Sequence, residues 1–421
     1  MDALLRNLLL RSLFARAVET ADPMRCVPEA LPERPAGRVV VVGAGKASAR
    51  MAEAVEAAWG PCEGLVITRD GYGRPTQGIE IVEASHPVPD ARGLAATARM
   101  LGLVGGLGED DLVLALISGG GSALMVMPAG AITLAEKQAV NDALLASGAP
   151  IGEMNVVRKH LSRVKGGRLA AAAWPARVVG LLISDVPGDD PALIASGPTV
   201  GDRSTPAEAR AIIERWRIPV PASIAAVLDG PDGVLAPDAP RLARTENRVI
   251  AAPSQSLAAA AAMAEGAGCV VRVLGDAIEG EARSVAAEHA RIAREARAAM
   301  EPGDAPLVLL SGGECTVTRR GDGVGGPNAE FCLALALELG GEAGIRGLAC
   351  DTDGVDGAAE VAGAEVSPET LTWARKLGLD PAAALARNDA HGFFAALRDQ
   401  VVTGPTLTNV NDFRAILVSA P

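Results

Sequence analysis

The chain has 421 residues, of which 49% are hydrophobic and only 2% aromatic, and its formal net charge is −12. This acidic balance argues against general binding to nucleic acid or to anionic membranes. The length predicts two or three domains, and their cores must be aliphatic because aromatic residues are so few.

Short apolar runs alternate with longer helical patterns, which is typical of an α/β protein. The leucine-rich N-terminus predicts an ordinary first helix that Asp22-Pro23 closes, in preference to a targeting segment. Capping patterns mark later helix starts at Thr133, Thr205, Ser367 and Asp380. The predicted strands are 39–42, 65–68, 79–82, 112–117, 178–183, 249–251, 270–274, 307–310, 347–349 and 415–418.

The domain organisation follows from one breaker-rich stretch. Residues 229–245 are rich in Pro, Gly and Asp and have no period, so they form the candidate linker. We therefore expect one domain at 1–235 and a second at 245–421. The six cysteines form no C-x-x-C pair, which favours a reduced, cytoplasmic protein without a cysteine metal site.

The stretch VVVVGAGKAS, residues 39–48, raises the question of what Lys46 does. A phosphate loop needs an earlier glycine and a hydroxyl after the lysine, but Ala47 follows Lys46. A dinucleotide loop fits Gly43 and Gly45, but Ser48 stands in place of its third glycine. Its acidic partner would be Glu63, which lies before the next apolar run and not at the end of that run, where the partner belongs. Neither template explains the lysine.

Polar loops follow several predicted strands, at the ends where open parallel sheets bind ligands. After strand 112–117, a triple glycine turn offers backbone N–H groups to an anion, although it is also compatible with a simple tight turn. Its residues are Ser118, Gly119, Gly120, Gly121 and Ser122. Ser311, Gly312 and Gly313 repeat the pattern after strand 307–310 and are further candidates for phosphate binding.

Two groups of aspartates also stand at strand ends, at 185–190 and 351–356. Their carboxylates suit Mg²⁺, with Asp189 and Asp351 as the preferred ligands and Asp189 also as a catalytic residue that activates a hydroxyl. Turn and capping chemistry is the competing interpretation.

Six basic residues crowd residues 158–168 of this acidic protein, among them Arg158 and Lys159. They indicate either a solvated helix or a wall that collects anions. The G-x-S-x-G hydrolase elbow is absent from the sequence. Glycine loops, acidic residues and a lysine together favour phosphoryl transfer to a small anion.

Taken together, the motifs resemble the glycerate kinase family with a C-terminal MOFRL domain. The resemblance covers almost the whole chain and rests on VVVVGAGKAS, HPVPD, LISGGGSAL, MNVVRKHLSRVKGGRLA, ISDVPGDDPALIASGPT, LLSGGECTVT, DTDGVDG and TGPTLTNVNDF. It implies an N-terminal Rossmann-like parallel-sheet domain, a smaller C-terminal α/β domain, and an active site between them. It also implies ATP and Mg²⁺ as cofactors and D-glycerate as the substrate, usually phosphorylated to 2-phosphoglycerate.

Residue by residue, Lys46 matches the family's active-site lysine, and Arg158, Lys159 and Asn409 are the expected substrate ligands. One departure is Pro327, in GGPNAE, where the family commonly has an arginine treated as catalytic. We expect another basic residue to supply that charge, with Arg158, Lys159 and Arg319 as candidates, and reduced or altered activity is the alternative. A homodimer is a further expectation, with no nucleic-acid or membrane partner.

An alternative function is NAD(P)H-dependent reduction of hydroxypyruvate, a name that this family often carries from tartrate-degradation operons. The Gly43/Gly45 turn favours it, and Arg69 could bind a 2′-phosphate. The missing third glycine and the aspartate groups, which hydride transfer does not need, count against it.

Overall fold

The computed structural model describes residues 3–230, 233–357 and 359–421. Their contacts divide the chain into two compact units. The N-terminal unit comprises the described residues of Pro23–Ser184 and Asp189–Ile250, and the C-terminal unit those of Met1–Asp22, Asp185–Gly188 and Ala251–Pro421.

Each of the ten predicted strands lies within a strand of the structure. The strands are β1 (Val39–Ala44), β2 (Glu63–Arg69), β3 (Ile79–Ala84), β4 (Leu112–Ile117), β5 (Arg177–Ile183), β6 (Thr245–Ala251), β7 (Val270–Gly275), β8 (Gly280–Glu281), β9 (Leu307–Gly313), β10 (Cys315–Thr316), β11 (Ile345–Asp351), β12 (Gly363–Val366), β13 (Gln400–Val401) and β14 (Asp412–Val418).

The helices are α1 (Ala3–Thr20), α2 (Pro23–Ala30), α3 (Ser48–Trp59), α4 (Ala91–Val104), α5 (Gly121–Leu124), α6 (Leu134–Ser147), α7 (Ile151–His160), α8 (Arg168–Ala172), α9 (Pro206–Arg215), α10 (Ala222–Asp229), α11 (Pro253–Gly266), α12 (Ala282–Ala298), α13 (Pro327–Leu339), α14 (Thr370–Lys376), α15 (Pro381–Ala386) and α16 (Ala390–Leu397). The boxes predicted at Thr133 and Thr205 cap α6 and α9, and Asp380 caps α15. The start predicted at Ser367 is displaced to Thr370, because the Ser367 N–H donates to the Thr370 hydroxyl (2.9 Å) within a turn.

The N-terminal unit is built on a parallel sheet with the strand order β3-β2-β1-β4-β5-β6. Strands β1 and β4 are apolar and buried along their whole length, as a sheet with helices on both faces requires. The order is that of doubly wound dinucleotide-binding folds, whose switch point lies between the first and fourth strands. The predicted α/β class is confirmed.

A helical layer accompanies this sheet. Helices α6, α7, α9 and α10 share an apolar core that includes Leu144, Val157, Ile212 and Ile224. Helices α6 and α7 both lie in the crossover between β4 and β5, so they carry their side chains to the region after β4.

The C-terminal unit is built on a mixed sheet with the order β13-β12-β11-β14-β9-β7, beside a short β10-β8 pair. Alternate residues of β9 face opposite sides of this sheet. Leu307 and Leu309 pack in the core formed with α12 and α13, whereas Val308 and Leu310 pack in the core formed with α1 and α11. The predicted first helix is therefore an integral part of this unit.

The boundary between the units differs from the predicted one. Strand β6 follows the breaker-rich stretch 229–245, yet it is the last strand of the N-terminal sheet. The Val178 N–H donates to the Arg244 carbonyl oxygen (3.0 Å), and Thr199 donates to the Asn247 side chain (2.6 Å). Residues 229–245 therefore connect two parts of one unit, and the change of unit falls at 250/251.

Among the described helices, none combines the length and the apolar character needed to cross a lipid bilayer.

Candidate active site

The loops after β1 and β4 meet at the switch point of the N-terminal sheet. The Lys46 N–H donates to the Gly119 carbonyl oxygen (2.8 Å), and the Ala47 N–H donates to Ser118 Oγ (3.0 Å). Ser118 is fully buried and also lies 3.2 Å from Ser48 Oγ. These bonds hold the Lys46 loop against the triple glycine turn, as the sequence predicts for a shared site.

Three of the candidate residues there have a packing role. A Cβ on Gly43 would lie 2.1 Å from the Leu116 carbonyl oxygen, and one on Gly45 would lie 2.0 Å from Ser118 Oγ. The two glycines thus allow β1 and its loop to approach β4. The hydroxyl of Ser118 is engaged inside the protein, and the Gly121 N–H donates to the Ser118 carbonyl oxygen (3.2 Å). The N–H groups of Gly119 and Gly120 are therefore the candidate anion donors of the turn.

Gly120 brings two polar side chains together. Its φ of 78° lies in the left-handed region, and an added Cβ would lie 3.0 Å from His86 Nε2 and 3.4 Å from Lys46 Cγ. Only glycine satisfies both demands without strain. Gly121 is equally restricted, because its Cβ would lie 2.7 Å from the Ala44 carbonyl oxygen.

The segment after β5 contributes strained backbone near the same turn. Ser122 and Ser196 share a hydrogen bond between their hydroxyls (2.7 Å). Ser196, Ala195 and Asp189 all adopt left-handed conformations, with φ of 64°, 50° and 54°. Such conformations cost non-glycine residues of order 1–3 kcal/mol each and are frequent at functional sites. Asp189 is half-buried in the 3₁₀ turn Pro187–Asp189.

A cavity of about 310 Å³ opens beside Gly120. Its walls come from the loop after β3, the turn after β4, and helices α6 and α7. The lining residues are His86, Pro87, Val88, Pro89, Gly120, Ser122, Ala123, Val126, Lys137, Gln138, Asn141, Asp142, Leu145, Arg158 and Lys165.

Three cationic side chains line this cavity, and none makes an ion pair with a described residue. Lys137 and Lys165 are each only 3% exposed, and Arg158 is half-buried. Lys165 Nζ donates to the Ser122 carbonyl oxygen (2.6 Å), and Lys137 Nζ lies 3.5 Å from the Leu161 carbonyl oxygen. Arg158 Nε is buried and has no hydrogen-bond partner among the described residues. Buried cations without counter-ions are costly, so this cluster is suited to an anionic ligand.

Burial weakens proton binding in the cluster. Loss of solvation, with a smaller effect of Arg158, lowers the pKa of Lys137 to about 8. The pKa of Lys165 lies well below its ordinary value because of burial, the nearby Lys137 and Arg158, and Lys159. Burial also lowers the pKa of Arg158.

The basic cluster predicted at 158–168 is divided by the fold. Helix α7 ends at His160, so the six residues do not share one helix. Arg158 and Lys165 face the cavity, whereas Lys159 is buried in an ion pair with Asp202 (2.5 Å). Because Asp202 already neutralises Lys159, the structure argues against Lys159 as a substrate ligand.

In the C-terminal unit, Ser311, Gly312 and Gly313 belong to strand β9 and not to a loop, contrary to prediction. They pair with Arg414, Phe413 and Asp412 of β14. The Ser311 hydroxyl bonds His289 Nε2 (2.9 Å) in the core, and a Cβ on Gly313 would lie 2.3 Å from the Ile278 nitrogen. Pairing and packing account for these three residues without a phosphate.

The aspartates after β11 largely make turn and capping bonds. Asp351 accepts from the Asp353 N–H (2.9 Å), and Asp353 accepts from the Val355 N–H (2.8 Å). Asp356 is fully buried and accepts from the N–H groups of Asn328 and Ala329 at the start of α13.

Pro327 is the first residue of α13. A proline suits that position because its missing N–H would have no partner inside the helix. Pro327, which replaces the arginine common in the family, is therefore well suited to begin α13.

Asn409 lies in the loop before β14, where its side-chain amide donates to Asp185 (3.2 Å). Within the described residues, no group of three or more His, Cys, Asp or Glu side chains could hold a metal ion. A metal held by protein ligands alone is thus not supported there, whereas one or two carboxylates shared with a phosphate ligand remain compatible with Asp189 or Asp351.

Comparison with known proteins decides the family. A model described as domain of unknown function (DUF4147) matches residues 9–229, and the MOFRL family model matches residues 307–412. A D-glycerate 2-kinase from Thermotoga maritima is 38% identical over 403 residues, 95% of either chain. The chain belongs to the glycerate kinase family.

Further relatives agree with this membership. The crystal structure of a glycerate kinase from Thermotoga maritima matches with a TM-score of 0.88 at 36% identity, covering 98% of this chain and 99% of that one. A protein from Agrobacterium vitis, whose provisional name is hydroxypyruvate reductase, is 56% identical over 97% of this chain and 94% of its own. The resemblance to the glycerate kinase family inferred from the motifs is confirmed.

Sequence reasoning missed two residues of the cavity in this family member. Lys137 was overlooked because a helix lysine is ordinarily solvated. The available signal was its position on the buried stripe of α6, in line with Val140 and Leu144. His86 was quoted only as part of a motif, and nothing local marks it as a cavity residue.

Proposed function

We propose that this protein is a kinase that phosphorylates D-glycerate with ATP. The observation that supports this most is the cavity beside the Gly120 turn, where the buried Lys137 and Lys165 and the half-buried Arg158 make no ion pair with a described residue. D-Glycerate carries a carboxylate, and cations held in a water-poor cavity bind an anion more strongly than cations in solvent do. The kinase names of the relatives agree with this chemistry.

In this proposal, the cavity side chains hold the acid. Arg158 offers a planar fork suited to a carboxylate, and Lys137 and Lys165 add point charges. Lys46 lies at the switch point next to Gly120 and His86, where it would stabilise the charge on the transferring phosphoryl group. The N–H groups of Gly119 and Gly120 would bind phosphate oxygens.

The cofactors proposed are ATP and Mg²⁺. When bound, they supply the phosphoryl group and neutralise charge on the phosphate oxygens. Mg²⁺ usually takes one or two protein carboxylates and keeps water or phosphate for the rest of its shell. Asp189 and Asp351 stay our candidates for that role, and Asp189 for activation of the substrate hydroxyl. Asn409 stays a candidate substrate ligand, and 2-phosphoglycerate is the proposed product.

A reductase acting on hydroxypyruvate is the second candidate, because the N-terminal sheet has the strand order of dinucleotide-binding folds. Asp70 lies directly after β2, at the position of the acidic residue that binds the ribose in dinucleotide-binding folds. Residue spacing alone points to Glu63 instead. However, both carboxylate oxygens of Asp70 accept from Arg92 (2.6 and 2.8 Å), and the third glycine is replaced by the buried Ser48. These contacts favour the kinase.

One experiment separates the two functions. Purified protein is incubated with D-glycerate and Mg-ATP, and in parallel with hydroxypyruvate and NADH or NADPH. The kinase proposal predicts ADP formation that depends on D-glycerate, and phosphorus NMR of the product identifies the phosphorylated hydroxyl. Oxidation of NAD(P)H without ADP formation would replace the kinase by the reductase.

We also propose the cytoplasm as its location. All six cysteines are thiols in the structure, which a reducing compartment maintains.

A further inference from the structure

The use of lysine in this chain is unusual. The sequence contains five lysines among 39 basic residues, so the remaining 34 are arginines. Three of the five lysines, Lys137, Lys159 and Lys165, are only 3% exposed, although lysine is ordinarily among the most exposed residue types. A buried lysine can lose its proton, whereas arginine stays charged in proteins. Lysine therefore occupies buried positions in a chain that otherwise supplies positive charge with arginine.

Lys159 differs from the other two, because Asp202 neutralises it. Lys137 and Lys165 share the cavity beside Gly120 with Arg158 and make no ion pair with the described residues. The other titratable groups of the cavity wall are His86 from the loop after β3 and Asp142 of α6, which is exposed. Three like charges in one enclosed space repel each other, and loss of a proton from an amine relieves that repulsion while Arg158 keeps its charge.

We propose that this cavity is a proton-coupled anion site: an acidic ligand enters together with protons that bind the fraction of Lys137 and Lys165 side chains not already protonated, so that both become ammonium ions. The protons come from solvent and bind the amine lone pairs, so no covalent bond of the ligand changes. The anion then supplies the counter-charge that the described residues do not. If D-glycerate is the ligand, as the proposed function states, its affinity falls as the pH rises and the amines lose their protons. The low pKa values of both lysines support this coupling.

The test is isothermal titration calorimetry of the full chain at pH 8 with two probes, D-glycerate and sulfate. Both probes keep a fixed charge near this pH, so any proton taken up binds the protein. Each titration is repeated in buffers of different ionisation enthalpy, and the slope of the binding enthalpy gives the number of protons. Because the pKa of Lys137 is about 8, we expect uptake of about half a proton from that residue alone, with a further contribution from Lys165.

The variants Lys137→Arg and Lys165→Arg keep the charge but remove the ability to titrate. Each should lower the proton uptake, and the double variant should abolish it. Lys137→Met and Lys165→Met should lower it as well, which keeps the test available if an arginine does not fit. Lys376→Arg, on the exposed face of α14, is the matched control and should leave uptake unchanged.

Binding without proton uptake, uptake that persists in the double variant, or failure of both probes to bind would each overturn the proposal. The proposed kinase function can fail independently of the proton-coupled site. A protein that takes up protons when it binds sulfate but lacks kinase activity would support the proton-coupled site and contradict the kinase function. An active kinase whose binding enthalpy does not depend on the buffer would contradict the proton-coupled site.

Discussion

Replacement of Lys137 by methionine should stabilise the protein. The lysine amine is buried, its one hydrogen bond to a described residue is a long contact of 3.5 Å to the Leu161 carbonyl oxygen, and its pKa is about 8 in place of 10.5. Each pKa unit corresponds to about 1.4 kcal/mol, so holding this proton at pH 7 costs the folded state roughly 3 kcal/mol. Methionine has a similar length and no charge, so the variant should recover up to that amount while it loses affinity for the acid substrate.

The stabilisation by Lys137→Met should decrease as the pH rises. The unfolded chain keeps the lysine proton up to about pH 10.5, whereas the folded chain releases it above about pH 8. The unfolded state therefore binds more protons between these values, and the wild-type protein gains stability as the pH rises through them. The advantage of Lys137→Met should consequently shrink to about 1 kcal/mol at pH 10.

Urea denaturation followed by tryptophan fluorescence measures the effect. Three of the four tryptophans, Trp59, Trp174 and Trp216, belong to the N-terminal unit that contains Lys137. Lys376→Met removes an exposed lysine whose amine lies 4.2 Å from the Trp373 ring centroid, and it is the control, with an expected loss of at most about 1 kcal/mol at either pH. A Lys137→Met protein that is less stable at pH 7, or equally stabilised at pH 7 and pH 10, would refute the account of a strained, unneutralised cation.

Four other outcomes are expected. Lys46→Ala should lower kcat/KM for D-glycerate phosphorylation by ~10²-fold or more with an unchanged circular dichroism spectrum, because a charge at the transferring group is lost; near-normal kinetics would remove Lys46 from the mechanism. Gly120→Ala should destabilise the fold by about 1–3 kcal/mol and reduce kcat, since φ is 78° and the added Cβ would lie 3.0 Å from His86 Nε2. Thermal melts and steady-state kinetics measure this, and an unchanged melting temperature with unchanged kcat would contradict it. Burial lowers the pKa of His289 to about 4, so unfolding free energy should fall by roughly 3 kcal/mol between pH 6.5 and pH 4, and urea titrations of His289→Gln should show a weaker dependence. Pro327→Arg should change kcat/KM only slightly if another cation supplies the family charge, and a large gain in rate assays would show that it was never replaced.

Periodicity was sufficient for most of the architecture. The buried runs of β1 and β4 are apolar at every position, so they could be located from sequence, and β4 matches its predicted bounds. The short strands β8, β10 and β13 have two residues each and exist only through their pairing partners. The sequence predicts a loop at Ser311 to Gly313 because glycine is depleted in strands, but β14 holds these residues in the sheet.

The candidate site was predictable to the extent that it lies in loops. Lys46 and the triple glycine turn follow adjacent parallel strands, so their proximity follows from strand order. Lys137 and Lys165 reach the same region from a helix and a turn inserted after β4, and tertiary packing alone decides which basic residues are neutralised. Arg158 and Lys159 are neighbours in sequence, yet among the described residues only Lys159 pairs with a carboxylate, that of Asp202.

In the proposed function, the cation-lined cavity binds the acid substrate of a kinase. Steady-state kinetics of Arg158→Ala beside the wild-type protein, with D-glycerate and ATP varied separately, tests it most directly. Loss of a charge-assisted hydrogen bond of about 1.5–3 kcal/mol predicts that the KM for D-glycerate rises by at least ~10-fold while the KM for ATP stays within about twofold. An unchanged KM for D-glycerate, or an equal rise in both KM values, would contradict the account.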